Sequence, residues 1–259
     1  MTLDERKRVL ARLGAPDADM DALTAYTENM FRPRQNEDTD ELSPKWPDMR
    51  ERIQAACASA PKLEMFASAA GVIPIVYAAN DVDFNNLMRE IVYKGKEMPD
   101  ISNVGAQFVY GKTLRFIILS NKPYSGVTAA EIGLPEAEWI AKSVVIRKYH
   151  ECAHYYTKRF MGISRNNLHD ELIADFCGLY AAFGDFRAEW FMMFYKKREH
   201  AYTTGLSGTA ADIIRTLAEC AAKSIEEWTR TEGFAELNES ERIEYLTGLG
   251  LLDYIKEDN

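Results

Sequence analysis

Residues 150–154 read His150-Glu151-Cys152-Ala153-His154, and residues 171–175 read Glu171-Leu172-Ile173-Ala174-Asp175. Each segment sets its outer residues four apart, the spacing that puts two side chains on one face of a helix. Pro135 opens a long helical pattern that runs to about Phe160, with Gly162 placed to end it, so the first segment lies in that helix's C-terminal half. Asn166 and Asn167 offer capping positions for a second helix, Leu168 to about Phe183, ended by Gly184. Asp170 falls in its first turn, where the helix dipole favours an acid. On the first helix both imidazoles can reach one ion. Glu151, turned by about 100° around the axis, can stand beside that ion and accept a proton from water, a general base's position.

A catalytic zinc takes three protein ligands and leaves one position open, so a third donor must come from elsewhere in the chain. Glu171 and Asp175 share a face that continues through the small residues Gly178 and Ala182, where a second helix can approach the histidine helix closely. Glu171 is then the expected third ligand, and Asp175 the group that hydrogen-bonds the outer nitrogen of a ligating histidine. His169 and Asp170 remain open as alternative third ligands. An isolated Glu/Asp pair is ordinarily a solvated acidic face; the small residues beside this one favour a site.

His150-Glu151-x-x-His154 followed by Glu171-x-x-x-Asp175 resembles the gluzincin class of zinc metallopeptidases. The resemblance covers about Val72 to Gly184. It implies an α+β, zincin-like fold in which a small mixed sheet packs on the metal-binding helix. It implies Zn2+ held by His150, His154 and Glu171, with Glu151 as general base and acid and Asp175 in support. It also implies a Tyr or His outside the metal motif as donor to the developing oxyanion, for which Tyr202 and His200 are the first candidates, and a peptide substrate laid along the sheet edge, at the Leu114–Leu119 strand or its hairpin partner. A metzincin pattern is excluded, because it needs glycine at 157 and histidine at 160, where this chain has Thr157 and Phe160.

Outward from the motif helix, Ala106–Tyr110 and Leu114–Leu119 read as strands joined across Gly111-Lys112 in a hairpin. Val72–Tyr77 reads as a strand that Pro74 assigns to an edge or a bulge, and Asp81–Lys94 as a helix. Two short helical patterns flank Gly14-Ala15-Pro16, and Asp48–Ala60 forms another. The rest of the chain is helical, at about 186–199, 210–230 and 239–255. The expected organisation is a helical extension over 1–60, with a polar linker at 32–47 that either connects plainly or lies over the cleft, a catalytic core over 61–184, and a helical C-terminal part over 185–259.

Length and composition agree with a folded enzyme. The 259 residues, 47% hydrophobic and 27% charged, suffice for a substantial core. A net charge of −9 argues against a nucleic-acid-binding surface. The four cysteines form no Cys-x-x-Cys pair and are expected reduced and buried. The N-terminal residues carry mixed charge without an apolar run, and no segment suits a bilayer, so a soluble, cytoplasmic protein is expected, with no membrane or nucleic-acid partner. The function these features predict is a zinc-dependent peptidase of narrow specificity acting on a peptide or protein. Two other readings stay open: a metal-dependent hydrolase of a non-peptide amide, and a lapsed zincin serving as a binding module.

Overall fold

A computed structural model describes residues 1–34, 42–111, 114–163 and 167–255. The helix of the histidine motif, α6 (Glu136–Phe160), starts behind Pro135, whose φ of −60° is preset for it, with Glu136 and Glu138 in the first turn and Lys158 and Arg159 in the last. Its final carbonyls are closed from a distant part of the chain. The Arg34 backbone N–H donates to Phe160 O at 2.8 Å, and the Arg34 guanidinium donates to Arg159 O at 3.1 Å and Lys158 O at 2.7 Å. The next helix, α7 (Leu168–Phe183), is capped by Asn167, whose side-chain oxygen accepts from the Asp170 N–H, and ends at Gly184, whose φ of +66° suits a residue without Cβ. Asn166, the other expected cap, lies outside the described residues.

The two helices cross closely at the expected small residue. A Cβ added to Gly178 would lie 2.6 Å from the Ile146 carbonyl oxygen, so only glycine lets the backbones approach this far. Over them lies a four-stranded sheet in the order β1 (Lys62–Ser68), β2 (Gly71–Tyr77), β4 (Arg115–Leu119), β3 (Ala106–Tyr110). β2 and β4 pair parallel; the outer pairs are antiparallel. The parallel step needs a crossover, which α4 (Asp81–Leu87) and a single wider π-helical turn, Met88–Val92, supply.

β1 has no counterpart in the sequence reading: no residue of Lys62–Ser68 is buried, and its apolar run, Met65-Phe66-Ala67, is short. Its presence moves Pro74 off the edge expected for it. β2 is interior, and Pro74 is tolerated because pairing with β4 begins one residue later, at Ile75↔Ile117. The turn residues Lys112 and Thr113 and the central stretch of the polar linker, 35–41, lie outside the described residues, and with them the question of a segment over the cleft.

Both faces of the sheet are buried, which is why β4 reads as an unbroken apolar run. Ile75, Ile117 and Leu119 face a core shared with Trp139 and Ile146 of α6, Leu172 and Ile173 of α7, and the later helices. Val76, Phe116 and Ile118 face Trp46 and Ile53 of α3 (Trp46–Ala56) and Phe84 and Leu87 of α4. The larger core extends to Leu10 of α1 (Leu3–Arg12), Leu23 of α2 (Asp17–Tyr26), Phe194 of α8 (Ala188–Thr203), Leu217 of α9 (Gly208–Trp228), Phe234 of α10 (Glu232–Glu236) and Ile243 of α11 (Glu239–Gly248). The class is α+β. All four cysteines are free thiols. No helix among the described residues is long and apolar enough to cross a membrane.

Candidate metal centre

The α6–α7 crossing brings the two sequence segments together. His154 Nε2 lies 3.1 Å from His150 Nε2, and the Glu171 carboxylate reaches both, 3.5 Å from His150 Nε2 and 3.5 Å from His154 Nε2. All three residues are buried, and one donor atom from each falls within 4.8 Å of the others. The outer nitrogens are held by acids. His150 Nδ1 donates to Asp175 Oδ1 at 3.0 Å, and the Tyr124 hydroxyl donates to the same oxygen at 2.6 Å. His154 Nδ1 lies 3.0 Å from Asp170 Oδ2, whose other oxygen accepts from Thr157 Oγ1 at 3.2 Å. A histidine that donates through Nδ1 presents a lone pair at Nε2. With both imidazoles neutral, two such lone pairs and a carboxylate face one another in a buried site, a set that a divalent cation satisfies in place of a proton; against burial, Asp170 and Glu171 raise the His154 pKa well above its ordinary value, so the cation and that proton compete.

The charges around the centre are matched. Against burial, which would raise it, hydrogen bonding to His154 and the charges of His150, His154 and Arg198 hold the Glu171 carboxyl below its ordinary value. Asp175 is likewise held at about 2: burial opposes this, but the Arg198 charge and the hydrogen bonds of His150 and Tyr124 outweigh it. Arg198, on α8, donates to Glu171 Oε2 at 3.0 Å and to Asp175 Oδ2. Sequence reasoning missed both Arg198 and Tyr124. Arg198 is 27 residues beyond Glu171 and Tyr124 is 26 before His150, and neither separation carries a local pattern.

Glu151 stands in the wall of the adjoining cavity, of about 460 Å³, together with the two histidines, Glu171 and Arg198. Burial raises the pKa of its carboxyl, with His150 and His154 pulling the other way. The lining continues through Arg147, one turn back along α6, to Ser125 and the start of β3, Gly105–Phe108. β3 is the hairpin partner of β4 and the outermost strand of the sheet. Arg147 was also missed, although it lies one helical turn before Glu151. Burial lowers its pKa to about 10, partly offset by Tyr124, Glu151 and Asp81.

The remaining expected site residues lie elsewhere. His200 is exposed at the end of α8, outside the cavity lining. Tyr202 is buried against Tyr195, and the Arg198 guanidinium sits 5.8 Å from its ring; it does not line the cavity either. His169 turns away from the centre, edge-on to Phe31 with Nε2 3.4 Å from Leu246 O, and burial lowers its pKa to about 4. Asp170 supports His154 from its outer side.

Fold and site together define an α+β protein with a buried two-histidine, one-glutamate centre. The model of a family described as "Family of unknown function (DUF7005)" matches residues 113–256, more than half of the chain, and the chain belongs to that family. The matched span holds β4 and α6 to α11, and so every residue of the candidate centre except its surroundings on β3. No curated protein and no solved structure matches the chain.

Proposed function

We propose that the chain is a metal-dependent peptidase of the zincin type, with Zn2+ as the expected ion. The observation that carries this reading is the convergence of His150 Nε2, His154 Nε2 and the Glu171 carboxylate, with both outer nitrogens fixed by acids. Those three side chains would hold the ion, which when bound supplies Lewis-acid polarisation of a water and of a scissile carbonyl. Glu151, in the cavity wall beside the histidines and with its pKa raised by burial, takes the proton of the attacking water and returns it to the leaving nitrogen. Asp175, with Tyr124, and Asp170 hold the two imidazoles in one tautomer and orientation. Arg198 keeps Asp175 and Glu171 ionised.

The order of elements supports a peptide substrate. An outermost strand, antiparallel to its neighbour, borders the cavity with Gly105–Phe108, so an extended chain can add to it by main-chain pairing and present a carbonyl to the centre. The test is metal analysis of the purified protein combined with Glu151→Gln. Stoichiometric zinc in both proteins, with peptide hydrolysis lost only in the variant, is the expected result. A protein that holds no metal and gains no thermal stability on adding zinc would defeat the reading.

A further inference from the structure

Arg147 is 3% exposed, yet no carboxylate lies within ion-pair distance of it among the described residues. Its hydrogen bonds go to main-chain carbonyls, Nη1 to Lys122 O at 2.6 Å and Nη2 to Pro123 O at 2.8 Å. Arg198, the other guanidinium of the cleft, is engaged with Glu171 and Asp175, and Lys197 pairs with Glu131 at 2.9 Å. Glu151 and Asp81 act on its charge only from beyond hydrogen-bond distance, and a buried cation whose hydrogen bonds all go to neutral groups is costly unless a further anion completes it. Beside it, the Ser125 hydroxyl is buried with no hydrogen-bond partner among the described residues, on a residue held at φ +53°. Both residues line the catalytic cavity and also a second one of about 930 Å³ that continues away from it past Lys122. Two acids, Asp81 and Asp100, face the second cavity; Asp100 is occupied by the N–H and hydroxyl of Ser102.

We propose that Arg147 and Ser125 form an anion pocket that binds a carboxylate of the substrate, one to two residues from the scissile bond. The pocket stands on the geometry; that its carboxylate belongs to a peptide undergoing hydrolysis rests on the function proposed above. Two placements fix the register. Arg147 is one helical turn before Glu151, a rise of about 6 Å, which an extended peptide covers in about two residues. A Cβ added to Gly105 would lie 2.3 Å from Arg147 Nε, so the guanidinium runs directly beneath the backbone that leads into β3. A chain paired with β3 therefore passes over Arg147. The carboxylate comes either from an acidic side chain or from the chain terminus, and a planar guanidinium with a hydroxyl beside it suits both.

Three probes separate these sources when titrated into the Glu151→Gln protein by calorimetry, zinc-loaded and after chelation. N-acetyl-glutamate α-amide carries only the side-chain carboxylate, N-acetyl-glutamine only the terminal one, and N-acetyl-glutamine α-amide neither. One of the first two is expected to bind at least about tenfold more tightly than the third, a charge-assisted hydrogen-bond difference. The preference should survive chelation, disappear in R147Q and persist in part in R147K. Ser125→Ala should weaken it about threefold to tenfold and serves if R147Q does not fold. Equal binding of all three probes, a preference unchanged by R147Q or Ser125→Ala, or tighter binding of inorganic phosphate than of either carboxylate would overturn the pocket. A preference seen in a protein that takes up no zinc when zinc is added would uphold the pocket and defeat the hydrolytic reading.

Discussion

The two walls of the cleft are built on opposite principles. On the α6–α7 wall the histidines and their acids form a network: each imidazole lies 3.0 Å from an acid, each of those acids has a second donor, and Arg198 spans two of the carboxylates. On the side where Arg147, at the N-terminal edge of the α6 lining, meets Ser125 and the start of β3, a guanidinium and a hydroxyl are buried without charged hydrogen-bond partners. A closed network fixes geometry before any ligand arrives, whereas unspent polar groups cost stability until a ligand completes them. On the function proposed above, the chemistry belongs to the first side and recognition to the second.

The strongest way to break that assignment is at Glu151. Its carboxyl is the one acid of the centre held above its ordinary value, while Glu171 and Asp175 are held below theirs. Glu151→Gln should keep the metal and lower kcat about 10²- to 10⁴-fold, measured on a cleaved peptide pool. Activity within a factor of two of the wild type would remove Glu151 from proton transfer. Next in size are the supports of the imidazoles. Asp175→Asn and Asp170→Asn should each weaken zinc binding by about 10- to 100-fold in a chelator competition, and Asp175→Asn should cost more because it also frees Arg198. Equal affinities in all three proteins would mean that the closed wall is structural and sets nothing at the metal.

Gly178 tests whether the network depends on the helix crossing. With the Ile146 carbonyl 2.6 Å from any added Cβ, Gly178→Ala must push α7 from α6 and should cost about 1–3 kcal/mol in denaturant unfolding, with metal affinity falling alongside. A variant of unchanged stability would show that the helices can separate without disturbing the centre.

How much of this was legible in the sequence divides along the same line as the walls. The His150–His154–Glu171 cluster, the Asp175 contact and the tight crossing at Gly178 were legible because residues three to four apart share a face on each of two helices, and small residues mark where those faces can meet. Tyr124 and Arg198 reach the same carboxylate from a loop and from α8, and such long-range placements leave no period to read. β1 was invisible because its side chains are half-exposed and the hydrophobic pattern of a buried strand is missing. Pro74 misled for a related reason: an edge position was inferred from its absent N–H, but the register with β4 starts just past it. His200 and Tyr202 were chosen for their position after the ligand helix, and α8 instead turns Arg198 to the centre, with His200 in solvent.

The smallest expected effect has the opposite sign and belongs to the second wall. Ser125 holds φ +53°, a region that costs a residue with a Cβ about 1 kcal/mol, and its hydroxyl is buried without a partner. Ser125→Gly removes both penalties, at the expense of some extra freedom in the unfolded chain. A net gain of up to about 1 kcal/mol, or roughly 2–4 °C in Tm, is expected, together with weaker binding of the carboxylate probes. In the network, removing Asp170 or Asp175 takes the acid from a buried imidazole and is expected to destabilise. A Ser125→Gly protein that melts lower than the wild type would show that the hydroxyl is already satisfied, and the two walls would then be alike.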